Sequence, residues 1–310
     1  MEDTTVLYSA ISAILLLLSF KFFNSRASHI NLPPSPPSIP ILGHLHLIKP
    51  PIRRAFLNLS KKYGPIISLK FGSRLVVVVS SPSTVEECFT KNDIVLANRP
   101  QLIMGKHMGY NYTNMVTSPY GDHWRNLRRI SAIEIFSSTR LSIFLNVRKD
   151  EIMQLLKKLS RNSLQDFAKV ELKSAFSDLT FNTIIRMVAG KRYYREDVGD
   201  EGEARQFREL IGEVFEYSGS TNPGDFVPIL NWIDGSYERK VKKLAKTMDG
   251  LLQRMIDENR SKQEGNTMIH HLLSLQQSQP QYYTDQIIKG LMLVSSILFL
   301  FFYFNYSLSH

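Results

Sequence analysis

An uncharged apolar run at the N-terminus constrains the topology of this chain more than any other feature. The fifteen residues from Val6 to Phe20 carry no charge, and their length approaches the roughly 20 residues that a bilayer span requires. A cleaved signal peptide has its basic residues before the apolar run, whereas here acidic residues precede it and basic residues follow it: Glu2, Asp3, Lys21 and Arg26. We therefore predict one membrane anchor over residues 1–26 with the body in the cytosol. The alternative is a buried core helix.

A proline-rich segment follows the anchor. Its centre, Leu32 to Pro40, contains two proline pairs. Proline fixes φ and disfavours helix in the preceding residue, so this segment is expected to be extended and semi-rigid. A ligand for a proline-reading domain is one possible role, but the position after an anchor favours a spacer between the bilayer and the body. We assign residues 27–43 to this hinge.

The body is predicted to be mainly α-helical with a small β-sheet subdomain. Two β-branched runs, Ile66 to Phe71 and Leu75 to Val79, surround a Gly-Ser pair and predict a hairpin. Pro82 can open a short helix that ends at Phe89. From Pro119 onward the apolar residues recur with a helical period, and the clearest helices are predicted over residues 141–159, 172–188, 204–217 and 241–256.

Charge and cysteine content exclude several functions. The chain has 38 Lys and Arg against 28 Asp and Glu, a net charge of +10. These basic residues are spread along the chain, which favours a membrane surface or an acidic protein partner over nucleic acid. Cys88 is the only cysteine, so a disulfide framework, a Cys-x-x-Cys zinc site and a Cys-ligated iron–sulfur cluster are excluded. The His44/His46 and His270/His271 pairs supply no set of three ligands, and we predict no metal site.

A Trp-x-x-x-Arg element is the first candidate for ligand chemistry. Trp124 and Arg128 lie four residues apart in a predicted helix that begins after Pro119. That spacing places an indole N–H and a guanidinium on one helix face, where they suit a partly buried carboxylate or phosphate. An aromatic core contact beside surface arginines is the commoner meaning of such a pair taken alone.

Five motifs in order resemble the first half of a membrane-bound plant cytochrome P450. They are the N-terminal anchor, LPPSPPSIPILGHL, KYGPIISLKFGSRLVVVVSSP, ANRP at residues 97–100 and YGDHWRNLRRI. Within that family the chain is similar to the group that hydroxylates isoflavonoids and related phenolics. The resemblance implies the N-terminal portion of the cytochrome P450 fold, incomplete, over residues 44–293.

The resemblance also implies a cofactor and site residues. In the family the Trp and Arg of this element bind the propionates of haem, which assigns Trp124 and Arg128 to cofactor binding. The loop before that helix, residues 101–117, would fold over the haem and contribute to the substrate pocket. Its apolar and aromatic candidates are Met104, His107, Tyr110 and Tyr112. Loop packing is an equally good explanation for any one of them.

The family's activity gives further expectations. A haem-thiolate monooxygenase of the endoplasmic reticulum membrane would hydroxylate a small phenolic substrate with O₂, using electrons from NADPH through a reductase. Its partners would be membrane lipid, the NADPH-cytochrome reductase and the phenolic substrate, with no nucleic acid.

The haem-ligand cysteine is the main departure from the family pattern. A cysteine thiolate in a glycine-containing loop binds the iron in this family, whereas Cys88 lies in a short predicted helix without such a loop. Residues 283–293 resemble the start of the family's long central helix. Residues 294–310 then depart from the family as an apolar tail, for which a second membrane segment and a read-through intron are the alternatives.

Three hypotheses follow from the sequence. The first is a truncated part of a monooxygenase that is inactive alone and has no catalytic residue of its own. The second is a membrane-tethered, non-catalytic protein that binds or competes for the ligands of intact relatives. The third is an unstable product without a function.

Overall fold

A computed structural model describes residues 6, 8–9, 11–17, 31–134, 137–162, 169–192, 201–219, 222–262 and 265–308. Over these residues the protein is mainly helical, with a two-stranded sheet. This architecture confirms the predicted fold class. The chain forms two compact units, residues 1–96 with 222–234 and residues 97–221 with 235–310.

The elements follow one another in a simple order. In the first part of the chain they are α1 Ile52–Tyr63, β1 Ile66–Phe71, β2 Arg74–Val79, α2 Pro82–Phe89, α3 Asp93–Leu96, α4 Ile103–His107 and α5 Asp122–Glu134. The later helices are α6 Ser138–Ile143, α7 Leu145–Asn162, α8 Leu172–Ala189, α9 Glu201–Gly219, α10 Pro228–Ile233, α11 Ser236–Arg260, α12 Met268–Ser278 and α13 Asp285–Leu308.

The predicted hairpin forms the centre of the first unit. Strands β1 and β2 pair antiparallel, with Ile66 opposite Val79 and Phe71 opposite Arg74. Their turn contains Gly72 at φ +56°, and a Cβ on this residue would lie 2.2 Å from the carbonyl oxygen of Phe226. A glycine is therefore required there for both backbone conformation and space. Ile67, Leu69 and Phe71 form the buried core of the unit.

The described part of the proline-rich segment is hydrogen-bonded to β1. The backbone N–H and hydroxyl of Ser68 donate to the carbonyls of Pro34 and Pro33 at 3.0 and 2.8 Å. His44 is 2% exposed; its Nδ1 accepts from the Lys70 N–H at 2.7 Å, and its Nε2 lies 2.8 Å from the Pro36 carbonyl oxygen. Since both ring nitrogens are used, this histidine is a structural residue whose proton is on Nε2.

The helices of the second unit share one hydrophobic core. The stripe predicted on the longest internal helix is confirmed in α11, where Val241, Leu244, Met248, Leu252 and Ile256 are buried. The neighbouring lysines of that helix are exposed. This stripe packs with buried residues of α8, α9, α12 and α13 in the same cluster.

One helix predicted as continuous is divided in the structure. The helix predicted over residues 141–159 is divided into α6 and α7. Phe144, at the junction, is buried and has a non-helical ψ of 5°. The apolar period continues through the break, so the pattern alone does not show it.

The structure describes part of each of the two apolar segments, the predicted N-terminal anchor and the C-terminal tail. Residues 6, 8–9 and 11–17 of the predicted anchor are helical, while the rest of residues 1–30 lies outside the described part of the chain. Among the described residues, no helix has the length and hydropathy needed to cross a bilayer. At the other end, α13 continues from Asp285 to Leu308 as one helix, so the predicted tail extends the helix that precedes it.

Candidate functional site

Helix α5 presents the Trp-x-x-x-Arg element. The helix begins at Asp122, an acidic residue that suits the positive end of the helix dipole. Its core-facing residues are Leu127, Ile130 and Ser131, all buried. With that face fixed against the core, Trp124 is half-buried and Arg128 is exposed.

Two guanidinium groups lie against the indole of Trp124. The Cζ of Arg128 is 5.3 Å from the ring centroid, and the Cζ of Arg99 is 4.7 Å from it. The ring of Tyr120 adds a tilted contact at 5.5 Å. Cation–π attraction favours the contact of each guanidinium with the indole ring. We call Arg99, Trp124 and Arg128 the arginine–tryptophan cluster.

The three side chains of this cluster differ in whether their N–H groups already donate a hydrogen bond within the protein. The indole N–H of Trp124 donates to the carbonyl of Met115 at 3.0 Å. Arg99 donates to the carbonyl of Ala97 at 2.6 Å. No hydrogen bond or ion pair joins the side chain of Arg128 to another described residue. Its guanidinium group is therefore available to donate hydrogen bonds to a carboxylate or phosphate.

Sequence reasoning missed Arg99 as a site residue. Arg99 lies in the ANRP motif, 25 residues before Trp124, so no helical or strand period relates the two. The only available signal was the presence of an arginine within that motif. The contact itself is tertiary.

The loop over residues 101–117 is partly helical and tightly turned. Helix α4 carries Met104, which packs against the main core. The ring of Tyr112 lies against Gly105, where an added Cβ would be 3.0 Å from two ring carbons. Tyr110, Asn111 and Tyr112 all have positive φ, between 51° and 62°. This left-handed run is uncommon for residues other than glycine, and its surroundings must hold it in place.

His107 is held by an acid on α11. Its Nε2 lies 2.8 Å from Oε1 of Glu238, and Lys106 and Lys242 lie 3.6 and 3.4 Å from the same oxygen. The hydrogen bond from His107 and the two lysine charges lower the pKa of Glu238. Glu238 is therefore a carboxylate, and the ring nitrogen of His107 that faces it carries a proton.

Tyr110 is held by a second acid on α11. Its hydroxyl donates to Oδ1 of Asp249 at 3.0 Å, and Lys289 on α13 donates to the same oxygen at 2.5 Å. The Lys289 Nζ also lies 5.7 Å from the centre of the Tyr110 ring. Burial, together with the charge and hydrogen bond of Asp249, raises the pKa of Tyr110. The phenol is consequently neutral at any ordinary pH.

The predicted substrate residues thus fall into two groups. His107 and Tyr110 use polar side-chain atoms in bonds to α11, whereas Met104 packs against the main core and the ring of Tyr112 lies against Gly105. Whether any of the four contacts a substrate stays a prediction.

Metal-ligand chemistry is limited in the described part of the chain. No group of three or more His, Cys, Asp and Glu residues that could hold a metal ion occurs there. Cys88 is half-buried on α2 in the first unit. A ring nitrogen of His271 lies 2.9 Å from a carboxylate oxygen of Glu134. That Cys88 does not bind a metal stays a prediction.

The fold and the cluster together define a mainly helical protein that can bind an anionic cofactor or ligand through stacked guanidinium groups. The family model described as Cytochrome P450 matches residues 33–296, and the chain belongs to the cytochrome P450 family. This confirms the resemblance.

Curated relatives give the same family at high identity. The chain is 58% identical over 296 residues to cytochrome P450 81Q32 of Catharanthus roseus, covering 95% of this chain and 59% of that protein. It is 48% identical over 297 residues to an isoflavone 2'-hydroxylase of Glycyrrhiza echinata, covering 94% of this chain and 60% of that protein. An isoflavone 2'-hydroxylase of Medicago truncatula is 50% identical over 293 residues. The chain thus spans about three-fifths of the length of these relatives.

Membership of the family implies haem, and part of the site fits this cofactor. Haem carries two propionate carboxylates, and the exposed Arg128 guanidinium has no carboxylate partner among the described residues. The donor set of the arginine–tryptophan cluster therefore suits the propionates. Cys88, the only cysteine of the sequence, lies within helix α2 rather than in a glycine-containing loop.

Proposed function

We propose that this chain forms the propionate-binding and substrate-loop part of a haem monooxygenase that hydroxylates isoflavone-like phenolics. The observation that carries the proposal is the Arg128 guanidinium, which stacks on Trp124 and lacks an acidic partner in the described part of the chain. The isoflavone 2'-hydroxylases among the relatives support the substrate class.

The residues of the cluster would act by binding and orientation. Arg128 would donate to one propionate, and Arg99, stacked on the same indole, would reinforce the positive potential. Trp124 supports both cations, and its N–H can bind a propionate only by leaving the Met115 carbonyl. When bound and ligated by a thiolate, haem supplies the activation of O₂ for hydroxylation.

The iron ligand would have to come from outside these 310 residues. Cys88 is the only cysteine of the sequence, and it lies within the helix α2 with no glycine-rich loop around it. We therefore propose that the 310 residues alone are inactive as a truncated monooxygenase.

The N-terminal residues would determine where the protein is located. Residues 1–26 would anchor the chain in the endoplasmic reticulum membrane, residues 27–43 would form the hinge, and residues 44–293 the cytosolic body. The uncharged run and its flanking charges support this arrangement. Residues 294–310 would be the part without a family counterpart.

A basic groove beside α5 supports an acidic reductase as the electron donor. A cavity of about 590 Å³ is lined by Asp122, His123, Arg125, Asn126, Arg129, Gln279 and Tyr282. Arg125 is paired with Asp122, so the exposed Arg129, which donates to the neutral Asn126, supplies the unbalanced positive charge that would steer an acidic partner. Arg140 does not contribute, because it is half-buried and paired with Glu134 at 3.1 Å.

A haem titration of the 310-residue protein tests the cluster. Arg128→Gln should weaken haem affinity by about tenfold, since it removes a charge-assisted hydrogen bond to a propionate. The matched control is Arg129→Gln on the same helix, whose guanidinium donates to Asn126 and should leave the affinity unchanged. Equal affinity for the wild type and Arg128→Gln would overturn the proposed role of the cluster.

A further inference from the structure

Two acids on one face of α11 hold the loop over residues 101–117. Glu238 and Asp249 are eleven residues apart, which is about three helical turns, so they project in the same direction. Glu238 accepts a hydrogen bond from the ring of His107, and Asp249 accepts one from the hydroxyl of Tyr110. The loop is therefore attached to α11 at two points along the helix axis.

Asp249 has a second partner on a third element, α13, whereas the described partners of Glu238 lie in the loop or on α11. Lys289 of α13 donates to the same oxygen as Tyr110, and Lys289 is 9% exposed. Gln286, one turn before Lys289, donates to the Tyr110 carbonyl at 3.2 Å. The loop, α11 and α13 consequently meet at one carboxylate.

The loop adopts a backbone conformation here that its own residues disfavour. Tyr110, Asn111 and Tyr112 occupy the left-handed region, which costs free energy in residues with a side chain. Hydrogen bonds within the loop, such as that from the Asn111 N–H to the Lys106 carbonyl at 2.8 Å, offset part of this cost, and bonds from outside the loop add to them. The hydrogen bond between Tyr110 and Asp249 is placed at the first residue of the strained run.

We propose that Asp249 is a positioning residue for the substrate loop. By accepting from Tyr110 and Lys289 together, it fixes the left-handed run and with it the position of the Tyr112 ring against Gly105. This inference rests on the proposed function only for the identity of the substrate. The attachment itself involves neither haem nor substrate.

Hydrogen–deuterium exchange of the full 310-residue chain tests the attachment. Tyr110→Phe removes the bond and leaves Asp249 paired with Lys289, so amide exchange over residues 103–117 should rise about tenfold while α8 stays protected. Asp249→Ala, which removes the acceptor, should produce at least the same rise, and Tyr110→Phe added to it should produce no further rise because the two side chains share one contact.

Two further variants separate positioning from a general loss of stability. Asp249→Glu keeps an acceptor for Tyr110 and should return the loop exchange towards that of the wild type. Asp257→Asn is the matched control, an acid on the same helix that is 57% exposed and bonded to Arg260 and Gln253; it should leave the loop unchanged. Wild-type exchange in Tyr110→Phe, or equal rises in the loop and α8, would overturn the inference.

The same variants distinguish this inference from the proposed function. If Tyr110→Phe loosens the loop but Arg128→Gln leaves haem affinity unaltered, the positioning role stands and the haem proposal fails. If Arg128→Gln weakens haem affinity but Tyr110→Phe leaves the loop exchange unchanged, the haem proposal stands and the positioning role fails.

Discussion

At the scale of single residues, Asp285 shows how neighbouring donors set the state of an acid. Burial by itself raises the pKa of Asp285, but hydrogen bonds from Gln276, Arg260 and Gln253 outweigh burial and lower the pKa to about 2. The distances from these donors to the carboxylate are 2.9, 2.7 and 3.0 Å. One carboxylate thereby joins α11, α12 and the start of α13.

This lowered pKa gives a pH-dependent stability. The folded pKa lies below the unfolded value, so the carboxylate stabilises the fold at pH above about 4, and this contribution is lost as pH falls from about 4 to about 2. Asp285→Asn should lower the free energy of unfolding at pH 7 by about 1 kcal/mol, a figure reduced for partial exposure. Urea unfolding at pH 7 and at about pH 3 measures the difference. Asp257→Asn, which removes the exposed partner of Arg260, is the control; a difference that persists unchanged at low pH would contradict the assignment.

Sequence reasoning reached some site residues and not others for a physical reason. Trp124 and Arg128 are four residues apart on one helix, so helical geometry alone predicts their contact, and the structure confirms it. Arg99 and Asp249 act across the fold from their partners. No local period encodes such a contact, and each partner looks like an ordinary surface charge in the sequence.

At the scale of elements, a buried ion-pair network joins α7 to α8. Glu151 is 3% exposed and pairs with Arg186 and with Arg192, the latter at 3.0 Å. Its neighbour Asp150 pairs with Arg186 but is 42% exposed. Two adjacent acids with nearly the same partners thus differ mainly in burial.

That difference predicts unequal effects of the two substitutions. Glu151→Gln leaves two poorly solvated guanidinium groups without their buried carboxylate and should destabilise the protein by about 3 kcal/mol. Asp150→Asn should cost less than about 1 kcal/mol, since water replaces its contacts. Denaturant unfolding of both variants measures the comparison. Equal losses would show that burial does not control the strength of this network.

The loop over residues 101–117 contains a glycine that no other residue can replace without movement of its neighbours. A Cβ on Gly109 would lie 2.3 Å from the carbonyl oxygen of Gly105 and 2.4 Å from the hydroxyl of Thr117. Gly109→Ala should therefore destabilise the loop by about 2 kcal/mol or more, because backbone has to shift. Gly121→Ala is the control, since a Cβ there meets nothing within 4 Å. Unfolding free energies and loop amide exchange provide the measurement, and similar losses in both variants would contradict the close contact.

The elements differ in how well the sequence predicted them. The hairpin, α2 and the buried stripe of α11 have strong local signals: a Gly-Ser turn between β-branched runs, a proline at the first helical turn and a long apolar period. Short helices such as α3, α4 and α10 have too few turns to show a period. Their existence depends on packing rather than on propensity.

At the scale of the whole molecule, the described residues form two units, each with its own hydrophobic cluster. The family match covers residues 33–296, which is the larger part of each unit. In the second unit, the arginine–tryptophan cluster and the loop held by α11 are the parts with chemistry toward a ligand. The fold class was predictable because hydrophobic period and motif order extend over the whole chain, whereas the meeting of Asp249 with Tyr110 and Lys289 requires the assembled fold.

The reduced carbon monoxide spectrum of the haem-loaded 310-residue protein tests the central claim most directly. We expect haem to bind through the arginine–tryptophan cluster without a cysteine thiolate on the iron, because Cys88 is the only cysteine and lies on α2. The spectrum should accordingly lack the thiolate-type band and be identical in Cys88→Ser. A thiolate-type band in the wild type that disappears in Cys88→Ser would contradict the claim.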